Sequence, residues 1–245
     1  MIALYGHRGA RGEAPENTLA SFRQCLAQGV DRCELDLHLS RDGELVVIHD
    51  PTLTRTTGRT GRVSDLDVAE LTQLDARRGG PGWPEPCPIP TLASLFEQCA
   101  FSHWQLEVKS ASVKRARALV VTLDALVRRY ALIDQVTLTS SSRTVLQAAR
   151  ELAPQLSLGL VAEGSRIDPI ETAKGYGCSL LAIEWTLCTP ALVEDAQQQG
   201  LHVSSWTVND PETMQRLADM GVDSLITDYP GLAKAVLERT ATTPA

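Results

Sequence analysis

No apolar run in the 245-residue chain approaches the ~18 residues of a membrane-spanning helix, so no stable membrane insertion is expected. The first residues, Met1 to Gly6, carry neither a basic nor an apolar leader region, and a cytoplasmic location is expected from that. Lysine is scarce, four among 23 basic residues, and no Lys/Arg run offsets the net charge of -7. A general nucleic-acid binder needs a basic face, so no nucleic-acid partner is expected. Aromatic residues make up only 4%, too few for an obvious membrane-facing rim. None of the six cysteines forms a Cys-x-x-Cys pair, which argues against structural zinc and against a disulfide framework. They read as buried reduced thiols. Gly6, Gly9 and Gly12 lack the spacing of a dinucleotide fingerprint, and there is no P-loop, no Gly-x-Ser-x-Gly and no His-x-His pair.

What remains is ordinary globular composition, 43% hydrophobic and 22% charged. Short β-rich runs at 2–6, 32–40, 44–49, 104–109, 135–140, 156–161, 180–185, 201–208 and 223–227 alternate with helical patterns. Asn17 reads as the cap of a helix ending at Gly29, and Thr91 opens another. Further helices are read at 113–130, 142–152, 190–199 and 211–220, with Pro190 and Pro211 in first turns and Gly200 and Gly221 past the ends. The Asp42-Gly43 pair reads as a two-residue hairpin loop, which folds 44–49 back antiparallel on the second strand. Eight parallel strands are then left, the count of a TIM (β/α)8 barrel, expected as one domain over 1–245. An open doubly wound sheet is the competing architecture. The stretch 52–90 is long for a bare connection and reads as a small insertion at the active-site mouth, with a short helix near 65–74.

Barrels carry their chemistry at the carboxyl ends of strands. Strand alternation puts Glu34 and Asp36 on one face, with Cys33, Leu35 and Leu37 on the other, and likewise pairs Glu107 with Lys109. Ionisable groups pointing into a barrel are too costly to serve as filler. Glu34, Asp36 and Glu107 form a hard-oxygen site suited to one divalent cation, Mg²⁺ or Ca²⁺. The alternative is an internal ion-pair network with Arg8 and Lys109, which leaves one carboxylate in excess. A symmetric two-residue loop places His49 directly across the ribbon from Asp36. His7 follows the first strand. A single histidine is most often structural, but two of only five reaching one mouth point to proton transfer. His38, His103 and His202 read as structural. Arg8 and Lys109 supply positive charge for a phosphate ester. Trp206 would wall an apolar part of a ligand or simply pack the rim. The run Ser140 to Ser142 reads as a turn and helix cap.

Gly6-His7-Arg8-Gly9, Pro15-Glu16-Asn17-Thr18, Glu34-Leu35-Asp36, the Asp42-Gly43 hairpin, His49-Asp50, Glu107-Val108-Lys109, Trp206-Thr207-Val208-Asn209 and Thr227-Asp228-Tyr229-Pro230 follow one another in order. Together they resemble the glycerophosphodiester phosphodiesterases, the short cytosolic bacterial type in particular. The resemblance implies metal-dependent hydrolysis of a small-molecule glycerophosphodiester to an alcohol and sn-glycerol 3-phosphate. It implies His7 and His49 as the acid/base pair, in either order. It implies Glu34, Asp36 and Glu107 as cation ligands, Arg8 and Lys109 as phosphate contacts, and Trp206 as a wall for glycerol. The attacking oxygen is left open between water and the glycerol 2-hydroxyl. The family often has Ser-Phe after the fifth strand, where this chain has Ser141-Ser142, which alters the wall facing the leaving alcohol. Two other readings stand beside this one. A related barrel phosphodiesterase acting on lysophospholipid, inositol lipid or sphingomyelin would want apolar rim residues. A non-catalytic phosphate-ester binding protein would have lost an acid/base or metal position, and all five are present.

Overall fold

Nine strands occur along the chain: β1 (Ala3–His7), β2 (Arg32–Leu39), β3 (Leu45–Val47), β4 (His103–Val108), β5 (Val136–Ser140), β6 (Ser157–Ala162), β7 (Leu180–Glu184), β8 (His202–Trp206) and β9 (Ser224–Thr227). They come from a computed structural model described over residues 2–109, 112–164 and 167–241. All but β3 are parallel neighbours, and β1 pairs with both β9 and β2, which closes an eight-stranded barrel. The expected TIM-barrel architecture is therefore found, and the open sheet is excluded.

β3 has a physical reason to exist. β1 ends its pairing with β2 at His7↔Glu34, whereas β2 runs on to Leu39 and would expose an edge. β3 covers that edge antiparallel, Leu37 facing Val47 and Leu39 facing Leu45. The register differs from the expectation by one residue. The ladder continues to Ser40 and Glu44, so the loop holds three residues, Arg41, Asp42 and Gly43. Gly43 takes φ +90°, the left-handed position that ends such a loop. Ser40 helps by accepting from the Glu44 amide through its hydroxyl at 2.8 Å. In consequence Asp36 meets Ile48, whose amide donates to its carbonyl at 3.1 Å, and His49 does not sit across from it.

The helices follow the strands, with four departures from expectation. Thr18, not Asn17, caps Leu19–Ala27, its side chain accepting from the Ser21 amide. Asn17 takes φ +56° and turns its side chain inward. Ser142 occupies the cap position of Arg143–Leu152 without a side-chain bond. Two helices, Pro169–Gly175 and Pro230–Ala241, were not anticipated. The stretch after β3 holds a short helix Thr54–Thr57, a 3-10 turn Val63–Asp65 and a single helical turn Val68–Leu71, where a longer helix at 65–74 was expected. It keeps its shape through a small apolar cluster of its own, Val46, Ile48, Leu53, Val63, Leu71, Ala76 and Ile89. Each fully buried Leu there is worth about 1.5–3 kcal/mol.

Outward strand residues such as Leu35, Leu106 and Leu138 join the helices in the main core. The lower interior of the barrel is polar. Tyr5 of β1 reaches His103 of β4 at 3.0 Å, and Gln105 of β4 donates to Ser204 of β8 at 3.2 Å, bonds that cross the lumen between non-adjacent strands. His103 and His202 are part of this floor, as structural histidines. All six cysteines are free and buried. Among the described residues no helix is long and apolar enough to cross a membrane.

Candidate active site

The carboxyl ends of the strands open onto one cavity of about 380 Å³. Seven of the eight expected residues line it: His7, Arg8, Glu34, His49, Glu107, Lys109 and Trp206. The eighth, Asp36, sits directly behind at 1% exposure, tied to Arg8 Nε at 3.0 Å and Lys109 Nζ at 2.8 Å. The rest of the lining is mixed, with Ser141, Val161, Ala182 and Ile226 beside the polar Gln105, Thr139 and Glu163. Ser141 is therefore a cavity residue, at the place where the family resemblance led one to look for a changed wall.

Backbone geometry aims the first two of these groups. After β1 the chain enters the left-handed region at Arg8 and Gly9, φ +51° and +85°. A side chain at Gly9 would meet the Ser21 backbone at 2.5 Å, so only glycine lets the turn close against the following helix. Ser21 locks the turn, its hydroxyl donating to the Arg8 carbonyl at 2.8 Å and accepting from the Ala10 amide at 2.8 Å. Asn17, turned inward, donates to Asp36 Oδ2 at 2.9 Å.

The carboxylates carry more negative charge than their neighbours offset. Ligand oxygens of Glu34, Asp36 and Glu107 lie within 4.8 Å of one another. Burial, then the charges of Asp36 and Glu107, push the Glu34 carboxyl well above the usual carboxylate range. Burial and Asp36 likewise raise Glu107 to about 7. For Asp36 burial also raises the value, but Arg8 and Lys109 outweigh it and hold the group well below that range. Two strained carboxyls beside one ionised carboxylate are what a divalent cation relieves, so the donor set fits one.

Each cavity histidine leans on an aspartate. His7 Nδ1 donates to Asp228 Oδ1 at 2.6 Å, and His49 Nδ1 donates to Asp50 Oδ1 at 2.6 Å. The proton is thereby fixed on Nδ1, leaving each Nε2 as the free ring nitrogen; that of His7 lies 3.8 Å from Glu34. Burial lowers both imidazoles below their ordinary value despite the aspartates, so both are neutral at pH 7. Asp228 is itself oriented by Asn209, which donates to Oδ2 at 2.8 Å and accepts from the Asp228 amide at 2.9 Å. His38 donates to the His49 carbonyl at 3.0 Å, which places that residue after it leaves the ladder.

Sequence reasoning gave no role to Asp50, Asp228, Glu16 or Arg55. Asp50 had a signal in its adjacency to His49. Asp228 had one only through barrel closure, which makes the last strand the neighbour of the first. Glu16 and Arg55 form a forked ion pair at 2.7 and 2.8 Å across 39 positions, and no local pattern announces it.

A model of the glycerophosphoryl diester phosphodiesterase family matches residues 7–232. A glycerophosphodiester phosphodiesterase from Caldanaerobacter subterraneus subsp. tengcongensis is 34% identical over 232 residues, covering 93% of this chain and 94% of the relative. The structure of an Oleispira antarctica phosphodiesterase in complex with the product sn-glycerol-3-phosphate superposes with a TM-score of 0.87 at 27% identity, covering 97% of both chains. A glycerophosphodiester phosphodiesterase from Agrobacterium tumefaciens gives 0.81 at 28% identity over 96% of this chain and 100% of that one. With its barrel, its cavity and these relatives, the chain belongs to the glycerophosphoryl diester phosphodiesterase family.

Proposed function

We propose that this chain hydrolyses glycerophosphodiesters to an alcohol and sn-glycerol 3-phosphate, with His7 and His49 as the acid/base pair. The observation that carries the reading is the meeting of two aspartate-held imidazoles in one cavity with a cluster of three carboxylates, Glu34 and Glu107 lining it and Asp36 directly behind. The product bound in the Oleispira relative supports the same substrate class.

Arg8 and Lys109 would turn from Asp36 toward the phosphoryl oxygens, Arg8 with its planar fork and Lys109 as a compact charge. Glu34, Asp36 and Glu107 would hold one divalent cation, Mg²⁺ or Ca²⁺, which when bound supplies Lewis-acid polarisation of a phosphoryl oxygen. One imidazole takes the proton of the attacking oxygen at Nε2. The other, having taken up a second proton from solvent at Nε2 beside the bound phosphate anion, delivers it to the leaving alkoxide. The Nδ1 bonds to Asp50 and Asp228 orient both rings, hold the base in the tautomer that leaves Nε2 open, and stabilise the imidazolium form of each ring. Trp206 borders the side of the cavity where the glycerol carbons would pack. Six buried reduced thiols suit a reducing compartment, so we place the protein in the cytoplasm. We take residues 1–245 as one catalytic domain.

The test is release of glycerol 3-phosphate from glycerophosphocholine, glycerophosphoethanolamine and glycerophosphoglycerol, and of lysophosphatidic acid from a lysophosphatidylcholine, with chelator or with added Mg²⁺ or Ca²⁺. Release from the small diesters that stops with chelator is expected. Turnover of the lysophospholipid alone would move the substrate to lipids, and undiminished rates in excess chelator would remove the cation.

A further inference from the structure

Arg55 does not line the cavity, yet it holds two groups that bear on it. It lies on the short helix Thr54–Thr57, five residues beyond Asp50. Its Nε donates to Asp50 Oδ2 at 2.7 Å and its Nη2 to Asp50 Oδ1 at 3.1 Å. On the other side Nη1 donates to Glu16 Oε2 at 2.8 Å and Nη2 to Glu16 Oε1 at 2.7 Å. One planar guanidinium thus grips two carboxylates through two forks. A lysine ammonium, a point charge with no fixed plane, cannot reproduce that. Beyond the two carboxylates stand functional side chains. Asp50 Oδ1 accepts from His49 Nδ1, and Glu16 Oε1 accepts from Arg8 Nη1 at 2.9 Å.

The two branches differ in how much they depend on Arg55. Glu16 is also reached by Arg11 Nε at 3.3 Å and by Arg8, so it keeps cationic partners without Arg55. Among the described residues Asp50 has only His49 and Arg55 as side-chain partners. His49 and Asp50 are also half open to water, with side chains 33% and 22% exposed, so packing alone does not fix their rotamers.

We propose that Arg55 is a positioning residue: by fixing the plane of the Asp50 carboxylate it keeps the His49 imidazole turned with Nε2 toward the cavity. The inference rests on the reading of His49 as an acid/base group. It assigns Arg55 more than the stapling of the segment after β3 to the loop after β1. A catalytic group displaced by about 1 Å loses on the order of 10²-fold in rate. Because Arg8 retains Glu16 and Asp36, the loss falls on kcat rather than on KM.

The full-length chain is compared with Arg55→Ala and Arg55→Lys by three measurements: glycerophosphocholine turnover, thermal unfolding, and the ¹⁵N–¹H spectrum of the His49 ring. Expected in Arg55→Ala are a fall in kcat of about 10²-fold, a KM close to wild type, and loss of the hydrogen-bonded Nδ1 proton signal of His49. Free guanidinium ion at non-denaturing concentration should restore part of the lost kcat, and tetramethylammonium should not. Should Arg55→Ala fail to fold, Arg55→Lys, which keeps the charge and loses the forks, carries the same comparison. Wild-type kcat with an intact His49 signal overturns the proposal. So does a kcat loss without guanidinium recovery and with the signal unchanged, which leaves Arg55 as a staple only. A wild-type chain that releases no glycerol 3-phosphate defeats the acid/base reading instead, and the His49 signal still decides whether Arg55 holds the ring.

Discussion

His7 and His49 meet water differently, with side chains 9% and 33% exposed, yet both are drawn down by burial and both lean on an aspartate. That likeness makes each the better tested against its own aspartate. His7→Ala and His49→Ala should each lower kcat by about 10²–10⁴, the range of a general acid or base. Asp228→Asn should lower kcat with little change in unfolding temperature, because an amide can present its NH₂ to Nδ1 and move the ring proton to Nε2. Steady-state kinetics beside a melting curve would check this, and an Asp228→Asn variant at full rate would show that Asp228 only packs. The ionisable residues on β2 and on and just after β4 were legible in the sequence because alternation is a local rule and Glu34, Asp36, Glu107 and Lys109 obey it. Asp228 was quoted but given no role, since its partner is 221 positions away and is brought near only by ring closure.

The hairpin of β2 and β3 shows how an element can be right and its register wrong. Asp42-Gly43 marks a turn correctly, but glycine at φ +90° serves the last position of a three-residue loop as well as the second of a two-residue one. The Ser40 hydroxyl, which takes the Glu44 amide, tips the balance and is invisible to a turn rule. Gly43→Ala isolates this. A methyl there would meet nothing within 4 Å, so the whole effect is backbone strain. A loss of about 1–2 kcal/mol is expected, or roughly 2–4 °C per kcal/mol for a chain of this size, with kcat unchanged. Urea titration reads the first and turnover the second; an unaltered urea midpoint would mean that the residue is not held in the left-handed region. The helices Pro169–Gly175 and Pro230–Ala241 escaped notice for a different reason. Their Pro starts were in view, but the first is only seven residues long and the second follows a run read as a motif.

For the barrel as a body, eight strands and a closed ring were legible because strand and helix alternate in the sequence. The polarity of the interior was not. Such barrels usually fill their lumen with layers of branched aliphatic residues. Here Tyr5 with His103 and Gln105 with Ser204 hydrogen-bond across it, His103 with Thr137 and His202 with Ser224 link neighbouring strands, and no periodicity rule tells an inward polar residue from an exposed one. This floor makes stability depend on pH. Burial, with Arg32 and His202 adding to it, lowers His103 from 6.5 to about 4, and burial lowers His202 as well. Between pH 6.5 and about 4 the unfolded chain therefore binds a proton at His103 that the folded chain refuses. The stability tied to His103 is complete above pH 6.5 and is lost as pH falls through that window. Glu34 and Glu107, raised by burial, give a slope of the opposite sign, so the total curve does not isolate His103. The difference from His103→Gln does, since glutamine can still bond Tyr5 and Thr137 but does not titrate. Unfolding free energies from urea titrations of both proteins should show wild type losing ground to the variant steadily from pH 6.5 to 4, and parallel curves across that window would remove His103 as the source of acid sensitivity.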